Sequence, residues 1–366
     1  MSRARTAAVL VLGAMLLAGP VGAQAGHWQP VPPRQGWMVP EAPPVSAASF
    51  ILFDETADWV IASGNPDARR PPASTTKMMT ALVALEHASL DDIVTVTAEA
   101  AEAGEAEIGL VADERIPMGD LITAMLVRSA NDAAEAVAIH VGGSIAGFAD
   151  LMNQKAAAMG LENSHFMNPH GLDEPDHYTS AADLLAISRA VLADPQLAAI
   201  VRSVRMEFRP APDGTERGGP ATNSLLESYP GAIGIKTGYT SQASLVLAAA
   251  AERDQRQLVA VVMGSEGPEA HFADASELLD YGFDNARILP VLAGGQFAAG
   301  DISANPIAAT ARLEALAWLS ASGLLTVPPA PNAEPVRVLR EPAAVPDWKD
   351  AFSWLGRYWA WVAGDG

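Results

Sequence analysis

The chain has 366 residues, of which 49% are hydrophobic, so it is long enough for one large domain or two ordinary ones with a sizeable core. Its formal net charge of -20 argues against nucleic-acid binding and against general attraction to anionic lipid. The absence of cysteine from the sequence excludes disulfides and thiol chemistry but selects no compartment.

The first 25 residues are predicted to be a secretory signal peptide, so we expect an exported protein. Two arginines precede an apolar run over residues 7–18, and Ala23-Gln24-Ala25 then provides a small-x-small cleavage site. The alternative is an uncleaved anchor, although the apolar run is short for a membrane span.

Residues 26–46 contain six prolines and no periodicity, which predicts an extended leader.

Strands are predicted at residues 49–53, 59–62, 232–236, 245–251 and 258–263, and helices at 74–87, 118–126, 133–140, 144–159, 180–192 and 271–282. Residues 91–118 are predicted to be surface structure. This order predicts an α/β fold of the α+β type, in which an antiparallel sheet is flanked by helices. A helical subdomain is inserted between the early and the late strands.

A hydroxyl and an amine are predicted to meet at the start of the first of these helices. Ser74 and Lys77 stand three residues apart, which places them on one helical face. A serine becomes a nucleophile when a neighbouring base takes its proton, and a buried lysine with a lowered pKa can be that base. The alternative is a serine helix cap followed by a solvent-facing lysine. Only four of the 23 basic residues are lysine, which favours a specific role for Lys77.

A second hydroxyl lies in Arg128-Ser129-Ala130-Asn131-Asp132, a short polar turn predicted between two helices. Residues two apart in extended backbone point to one side, so such a turn would aim Ser129 and Asn131 together. The alternative is that Ser129, Asn131 or Asp132 caps the following helix.

The triplet Lys236-Thr237-Gly238 lies on a predicted strand edge and is a candidate carboxylate site. A lysine and a hydroxyl both donate hydrogen bonds to an anion, and glycine lets a ligand approach the backbone. Lys236 near Lys77 would also help to keep the Lys77 amine neutral by like-charge repulsion.

Residues 163–177 form a turn-rich loop in which histidines and carboxylates are concentrated, so metal binding is considered there. No pair has the i,i+4 spacing of a helical zinc motif. Asn168-Pro169 and the following glycine favour a tight loop bonded to itself. We therefore predict structural histidines and no metal.

Three individually weak motifs occur in the order S-x-x-K at Ser74, S-x-N at Ser129 and K-T-G at Lys236, and the set resembles the penicillin-binding serine hydrolases. The segments P-A-S-T-T-K-M-M-T-A-L, S-A-N-D-A, N-P-H-G-L-D and Y-P-G-A-I-G-I-K-T-G-Y-T are similar to D-alanyl-D-alanine carboxypeptidases of the DacA/DacF type, peptidase family S11. The similarity covers about residues 46–285 and implies a β-lactamase/transpeptidase-like fold, with residues 47–288 as a penicillin-binding catalytic domain.

The resemblance implies acyl transfer to a serine without a cofactor. Ser74 would attack the peptide bond between the two terminal D-alanines of a peptidoglycan pentapeptide, with Lys77 as general base. Ser129 would pass a proton to the leaving amine, and water would then hydrolyse the acyl-enzyme. β-Lactams would acylate the same serine as covalent inhibitors.

The resemblance also implies a substrate-binding set, which comprises Asn131, Lys236, Thr237, Gly238, Tyr239 and Thr240. Asn131 would hold the substrate amide, while Lys236 and Thr237 would face the substrate carboxylate. The backbone N–H groups of Ser74 and Tyr239 would form the oxyanion hole.

Three positions depart from the family pattern. Thr222 stands where some members carry an arginine that contributes to carboxylate binding, so the remaining donors would contribute more. Ala130 replaces a usual glycine in the second motif, and Ser244 replaces the glycine of the usual Ala-Gly after the third. None of these changes removes a reacting group.

Residues 289–345 are rich in alanine and proline and are predicted to be a reduced or irregular appendage. Residues 346–366 are predicted to form an amphipathic helix, because most apolar side chains from Trp348 to Val362 fall on one arc at steps of about 100°. Its aromatic edges suit a membrane surface, and docking on its own catalytic domain is the alternative. We therefore expect a periplasmic protein bound peripherally to the outer face of the inner membrane.

Two other functions stay open at the level of the sequence. A β-lactamase shares S-x-x-K and K-T-G but needs a deacylating base, in one class a glutamate after the second motif. Glu162 and Glu174 lie in that region but lack that context. The other alternative is a non-catalytic peptidoglycan-binding relative, against which the three intact motifs argue.

Overall fold

The structure, a computed structural model, describes residues 41–285. The predicted signal peptide at residues 1–25, residues 26–40 of the leader, the appendage at 289–345 and the helix at 346–366 lie outside the described residues. Those domain predictions therefore stay predictions, and the described part corresponds to the predicted catalytic segment.

The described strands form one large sheet and two small ones. They are β1 Ser49–Asp54, β2 Trp59–Gly64, β3 Ile93–Thr95, β4 Arg115–Pro117, β5 Arg205–Met206, β6 Gly219–Pro220, β7 Ala232–Thr240, β8 Ser244–Arg253 and β9 Arg256–Ser265. Five of them form an antiparallel sheet in the order β2-β1-β9-β8-β7, which leaves β7 at an edge. The pairs β3–β4 and β5–β6 are separate two-stranded sheets.

Eight helices are described within residues 41–285. They are α1 Thr76–His87, α2 Met118–Val127, α3 Asn131–Gly142, α4 Ile145–Ala158, α5 Ala181–Ala193, α6 Pro195–Val201, α7 Leu225–Ser228 and α8 Ala270–Asn285. Three begin with a side-chain cap: Ser144, Ser180 and Asp194 accept hydrogen bonds from the first turns of α4, α5 and α6. Such caps fix where each helix starts.

The sheet is buried on both faces, which accounts for the continuous apolar runs of β8 and β9. On one face, alternate residues such as Leu247 and Val262 pack with Leu278 of α8. On the other face, Val246 and Val261 belong to a larger buried cluster that includes α1, α2, α3 and α5. The helical lobe inserted between β2 and β7 therefore packs on one face of the sheet, and it brings the turn that precedes α1 and Ser129, which precedes α3, to β7.

The predicted α+β arrangement, with helices inserted between early and late strands, is confirmed. The prediction of surface structure for residues 91–118 is partly wrong, because the β3–β4 pair buries Val94 and Ile116 in the helical lobe. The helices α6 and α7 and the β5–β6 pair were not predicted, since they are too short to show a clear period.

No single helix within residues 41–285 is both long and apolar enough to cross a membrane. By length and composition, α5 and α6 meet that requirement only as a pair, and a bend of 105° separates them.

Candidate active site

Ser74 lies in a short 3-10 turn, Ala73–Thr75, that leads directly into α1. No side chain caps this turn or α1, so the helix-cap interpretation of Ser74 is wrong. Its hydroxyl instead contacts the amine one turn ahead, and the distance from Ser74 Oγ to Lys77 Nζ is 3.0 Å. The predicted meeting of the two side chains is confirmed.

Lys77 is fully buried, so the alternative of a solvent-facing lysine is also wrong. Its Nζ lies 2.7 Å from Asn131 Oδ1 and 2.7 Å from the carbonyl oxygen of His170. A neutral amine has two N–H bonds and one lone pair. When the two N–H bonds donate to the Asn131 and His170 oxygens, the lone pair is left for the hydroxyl proton of Ser74.

The pKa of Lys77 is lowered well below its ordinary value of 10.5, chiefly by burial and further by the positive charge of Lys236. The carboxylates of Asp132 and Glu105 raise this pKa, but by less. The predicted repulsion between the two lysines is therefore present, with desolvation as the larger effect. A neutral amine at position 77 is the form that can accept a proton.

Ser129 and Asn131 face this site, but not through the predicted extended turn. Ser129 has a positive φ of 64°, and Asn131 is the first residue of α3. The left-handed conformation directs Ser129 Oγ to Lys236 Nζ, 3.0 Å away, while Asn131 contacts Lys77. The N-cap residue of α3 is Ala130, so the cap alternative is wrong for Ser129 and Asn131. Asp132, already inside the helix, accepts the first-turn N–H of Ala133 at 2.9 Å.

The start of α3 is bound to the preceding loop, residues 104–110. The Asn131 side chain donates from Nδ2 to the Gly104 carbonyl at 3.1 Å, and its backbone N–H donates to the Ala106 carbonyl at 2.6 Å. The buried carboxylate of Asp132 accepts two further backbone N–H groups of this loop. Because Nδ2 is used in this way, Asn131 presents Oδ1 to Lys77.

Lys236 forms a second serine–lysine pair beside the first. It is buried in β7, and its Nζ also lies 2.8 Å from the Thr237 carbonyl. Burial lowers the pKa of Lys236 from 10.5 to about 7. The Thr237 hydroxyl lies 2.8 Å from the hydroxyl of Thr222, the position where some relatives have arginine.

The end of β7 differs in two respects from the sequence interpretation. A Cβ on Gly238 would lie 2.9 Å from the Ser74 nitrogen, so this glycine admits the Ser74 turn rather than a ligand. The Thr240 hydroxyl donates to the Asp173 carboxylate at 2.6 Å, so its proton is engaged there. The Tyr239 side chain is 67% exposed.

Sequence reasoning missed one group of the site, the main-chain carbonyl of His170. The loop that carries it packs directly on the Ser74 turn, because a Cβ on Gly171 would lie 1.8 Å from the Ala73 carbonyl oxygen. Gly171 also has a positive φ of 93°. The N-P-H-G-L-D segment was the available signal, but a backbone acceptor leaves no residue-type pattern of its own.

The histidines of this loop contact protein groups. His177 accepts a backbone N–H at Nδ1 and therefore donates from Nε2 to Thr76 Oγ1, 3.0 Å away. Burial is the main cause that lowers the pKa of His177 to about 3. His165 contacts a carbonyl and His170 a carboxylate. Among residues 41–285, no three His, Cys, Asp or Glu side chains form a group that could hold a metal ion.

Two of the departures from the family pattern have local explanations. Ser244 has a positive φ of 58°, a conformation that glycine adopts easily, and its hydroxyl donates to the Ser265 carbonyl at 2.8 Å. Ala130 has φ and ψ of -61° and 120°, which any residue can adopt. Neither substitution disturbs the two serine–lysine pairs.

A buried base beside a serine is an arrangement for acyl transfer. The second serine–lysine pair, on the edge strand, adds an amine that can bind a substrate ending in an anion. Comparison with known proteins supports the same conclusion. The sequence profile of the peptidase S11 family, described as D-alanyl-D-alanine carboxypeptidase, matches residues 37–267. The chain belongs to the S11 family of serine peptidases.

Curated members of the S11 family align with most of the described segment. D-alanyl-D-alanine carboxypeptidase DacF of Bacillus subtilis is 31% identical over 252 residues, which is 67% of this chain and 64% of DacF. D-alanyl-D-alanine carboxypeptidase DacA of Escherichia coli is 34% identical over 274 residues, which is 71% of this chain and 67% of DacA. The alignment thus spans slightly less than two thirds of DacF.

The solved structure of the Streptomyces K15 DD-transpeptidase is similar to this S11 chain, with a TM-score of 0.63 and 27% identity. The match covers 67% of this chain and 99% of the transpeptidase. The predicted family and the predicted transpeptidase-like fold are both confirmed.

Proposed function

We propose that this S11 chain is a serine-type D-Ala-D-Ala carboxypeptidase that removes the terminal D-alanine from peptidoglycan stem peptides and is inhibited by β-lactams. The proposal depends most on the buried Lys77 amine, which lies 3.0 Å from Ser74 Oγ and has two oxygen acceptors for its N–H bonds. The activity printed in the names of DacA and DacF supports it.

In the acylation step, Ser74 Oγ attacks the carbonyl carbon of the D-Ala–D-Ala peptide bond and gives its proton to Lys77 Nζ. The carbonyl oxygen becomes negative and is bound by the backbone N–H groups of Ser74 and Tyr239, the oxyanion hole that the family resemblance implies. The C–N bond then breaks, and a serine ester of the shortened peptide is left.

The leaving amine needs a proton, and Ser129 is placed to pass one. Its hydroxyl lies 3.0 Å from the Lys236 amine, so a proton given to the leaving D-alanine can be replaced from Lys236. Lys77 then gives up the proton that it took from Ser74, which restores the proton lost by Lys236. Neutral again, Lys77 is the base when water attacks the ester, and its proton passes to Ser74 Oγ as the peptide is released. Asn131 serves both as an acceptor for Lys77 and, in this proposal, as a partner for the substrate amide.

The substrate carboxylate is proposed to bind at β7. The Lys236 amine and one hydroxyl of the Thr222–Thr237 pair supply the donors, because the other hydroxyl of the pair donates to its neighbour at 2.8 Å. Thr240 contributes less than the sequence predicts, because its hydroxyl proton is donated to Asp173.

The surroundings of Ser74 argue against the β-lactamase alternative. Among the described residues, the Ser74 hydroxyl has Lys77 as its hydrogen-bond partner and no carboxylate. Glu162 and Glu174, the glutamates considered from the sequence, are both exposed. A β-lactamase that relied on a glutamate would need a carboxylate aimed at the acyl-enzyme. The intact serine–lysine pairs argue equally against a non-catalytic relative.

We further propose that the enzyme acts in the periplasm, on the outer face of the inner membrane. The signal-peptide pattern in residues 1–25 and the aromatic amphipathic pattern in residues 346–366 support this location. Fractionation of cells that express the full chain, with and without residues 346–366, tests it, and loss of the membrane-bound fraction on truncation is expected.

The activity is tested by measuring D-alanine released from a pentapeptide ending in D-Ala-D-Ala. We expect release by the unaltered chain and a loss of at least ~10³-fold in Ser74→Ala, because the nucleophile is gone. Ser228→Ala, a change at an exposed serine, is the matched control. Undiminished release by Ser74→Ala, or peptide binding by the unaltered chain without release, would contradict the proposal. Rapid turnover of penicillin would favour the β-lactamase instead.

A further inference from the structure

Helix α3 contacts the environment of Lys77 at two successive turns. Asn131 binds the Lys77 amine directly, and Glu135 stands one turn later on the same face. The Glu135 carboxylate lies 3.2 Å from His170 Nε2, and the two side chains are 9% and 8% exposed. A buried carboxylate and a buried imidazole that contact each other in this way need an explanation, because neither takes part in the proposed reaction.

The contacts of His170 determine which nitrogen carries its proton. Nδ1 accepts the backbone N–H of Leu172 at 3.2 Å, so Nε2 must be the protonated nitrogen of the neutral ring. Nε2–H therefore donates to Glu135. Both ring nitrogens are occupied, which holds the ring and the main chain at position 170 in one orientation.

That orientation matters because the His170 carbonyl is one of the two acceptors for the Lys77 N–H bonds, at 2.7 Å. If this carbonyl turned away, one N–H bond would lose its acceptor. The amine could then rotate, and its lone pair would no longer be held towards Ser74. The neighbouring Gly171 packs on the Ser74 turn, so a shift of this loop would also displace that turn.

We propose that Glu135 is a positioning residue for acylation: through His170 it holds the carbonyl oxygen that orients the Lys77 amine towards Ser74. This inference rests on the proposed function of the Ser74–Lys77 pair. Glu135 acts by accepting a hydrogen bond, so a glutamine, whose amide oxygen also accepts, preserves the effect. A leucine of similar size removes it. In agreement, the carboxylates that raise the pKa of Lys77 are Asp132 and Glu105, not Glu135.

The experiment measures the acylation of the full-length chain by a chromogenic β-lactam in rapid-mixing kinetics, which separates noncovalent binding from the acylation rate constant. For Glu135→Leu we expect the rate constant to fall about tenfold or more, as the loss of one well-placed hydrogen bond would cause, with unchanged noncovalent binding. For Glu135→Gln we expect a rate constant within about threefold of that of the unaltered chain. This rescue separates a positioning role from simple loss of packing.

Asp183 provides the matched control. It is also a buried carboxylate that supports this loop, since it accepts the Asn163 N–H at 2.9 Å and the Ser164 hydroxyl at 2.7 Å, but it has no contact with His170. Asp183→Leu should lower the thermal stability as Glu135→Leu does and leave the acylation rate constant unchanged. If Glu135→Leu does not fold, His170→Phe keeps the ring volume without the ring nitrogens and should show the same loss.

Equal acylation rates for Glu135→Leu and the unaltered chain would overturn this inference and leave the proposed function intact. Equal losses in Glu135→Leu and Asp183→Leu, or in Glu135→Leu and Glu135→Gln, would also overturn it. Failure of the unaltered chain to be acylated would overturn the proposed function itself.

Discussion

Gly238 and Ser74 are in contact through their backbones: a Cβ at position 238 would lie only 2.9 Å from the Ser74 nitrogen. The edge strand β7 and the turn that carries the proposed nucleophile are therefore packed directly on each other. This contact sets the spacing between Ser74 and the N–H of Tyr239, the two donors of the proposed oxyanion hole.

The first prediction is that Gly238→Ala separates β7 from the Ser74 turn. Since the added methyl group meets backbone rather than a flexible side chain, we expect a loss of ~1–3 kcal/mol in the free energy of unfolding. We also expect acylation to slow by at least about tenfold. Chemical denaturation and β-lactam acylation kinetics measure the two effects. Gly119→Ala, whose Cβ would meet the Leu90 side chain at 3.3 Å, is the control. Normal acylation by Gly238→Ala would contradict this account of the packing.

The second prediction concerns the base. Lys77→Arg keeps a cation of similar length, but a guanidinium stays protonated and cannot accept the Ser74 proton. We expect the acylation rate constant to fall by at least about 10²-fold, the usual range for loss of a general base. Lys155→Arg, at a lysine paired with Glu86 on the surface, should be unchanged. If Lys77→Arg were acylated normally, Lys77 would not be the base.

The third prediction concerns stability and pH. The folded-state pKa of Lys236 is about 7, below the ordinary value of 10.5 that applies in the unfolded chain. Between these values the unfolded state binds more protons, so the free energy of unfolding should rise with pH. Lys236→Met should show a smaller rise between pH 7 and pH 9 in thermal unfolding. The range from pH 7 to pH 9 lies below the pH at which tyrosines titrate, so they do not contribute to the rise. An identical pH dependence in both proteins would mean that Lys236 is not a buried amine with a lowered pKa.

The fourth prediction concerns the departure at Thr222. Its hydroxyl lies 2.8 Å from that of Thr237, so Thr222→Arg would bring a guanidinium to the proposed carboxylate site. We expect KM for a D-Ala-D-Ala peptide to fall by about threefold to tenfold, with little change in kcat, because the new contact is made in the ground state as well. The same peptide with an amidated C-terminus is the control, and its KM should not change. An equal fall in KM for both peptides would mean that the substrate carboxylate binds elsewhere.

Much of the fold and of the site could be predicted from the sequence. The apolar runs of β8 and β9 predicted strands, which the structure shows to be buried on both faces, and the spacing of Ser74 and Lys77 predicted that they meet. Both follow from local periodicity, which depends only on residues close in the chain. Lysine was also informative, because a chain with four lysines keeps two of them at this site.

Other features could not be predicted, because they depend on contacts between distant segments. The left-handed conformation of Ser129 accompanies its contact with Lys236, which lies far along the chain. The hydroxyl of Thr240 is engaged by Asp173 of another loop. The His170 carbonyl acts through the backbone, so its residue type gave no indication. A pattern within one segment carries no information about its partner across the fold.

The central claim is that Ser74, activated by Lys77, is the residue that becomes acylated. The most direct test is peptide mapping by mass spectrometry after the full chain is incubated with a β-lactam. The account predicts one added acyl group, on the peptide that contains Ser74, none in Ser74→Ala, and much slower addition in Lys77→Arg. An acyl group on any other residue, or an unaltered chain that is never acylated, would contradict it.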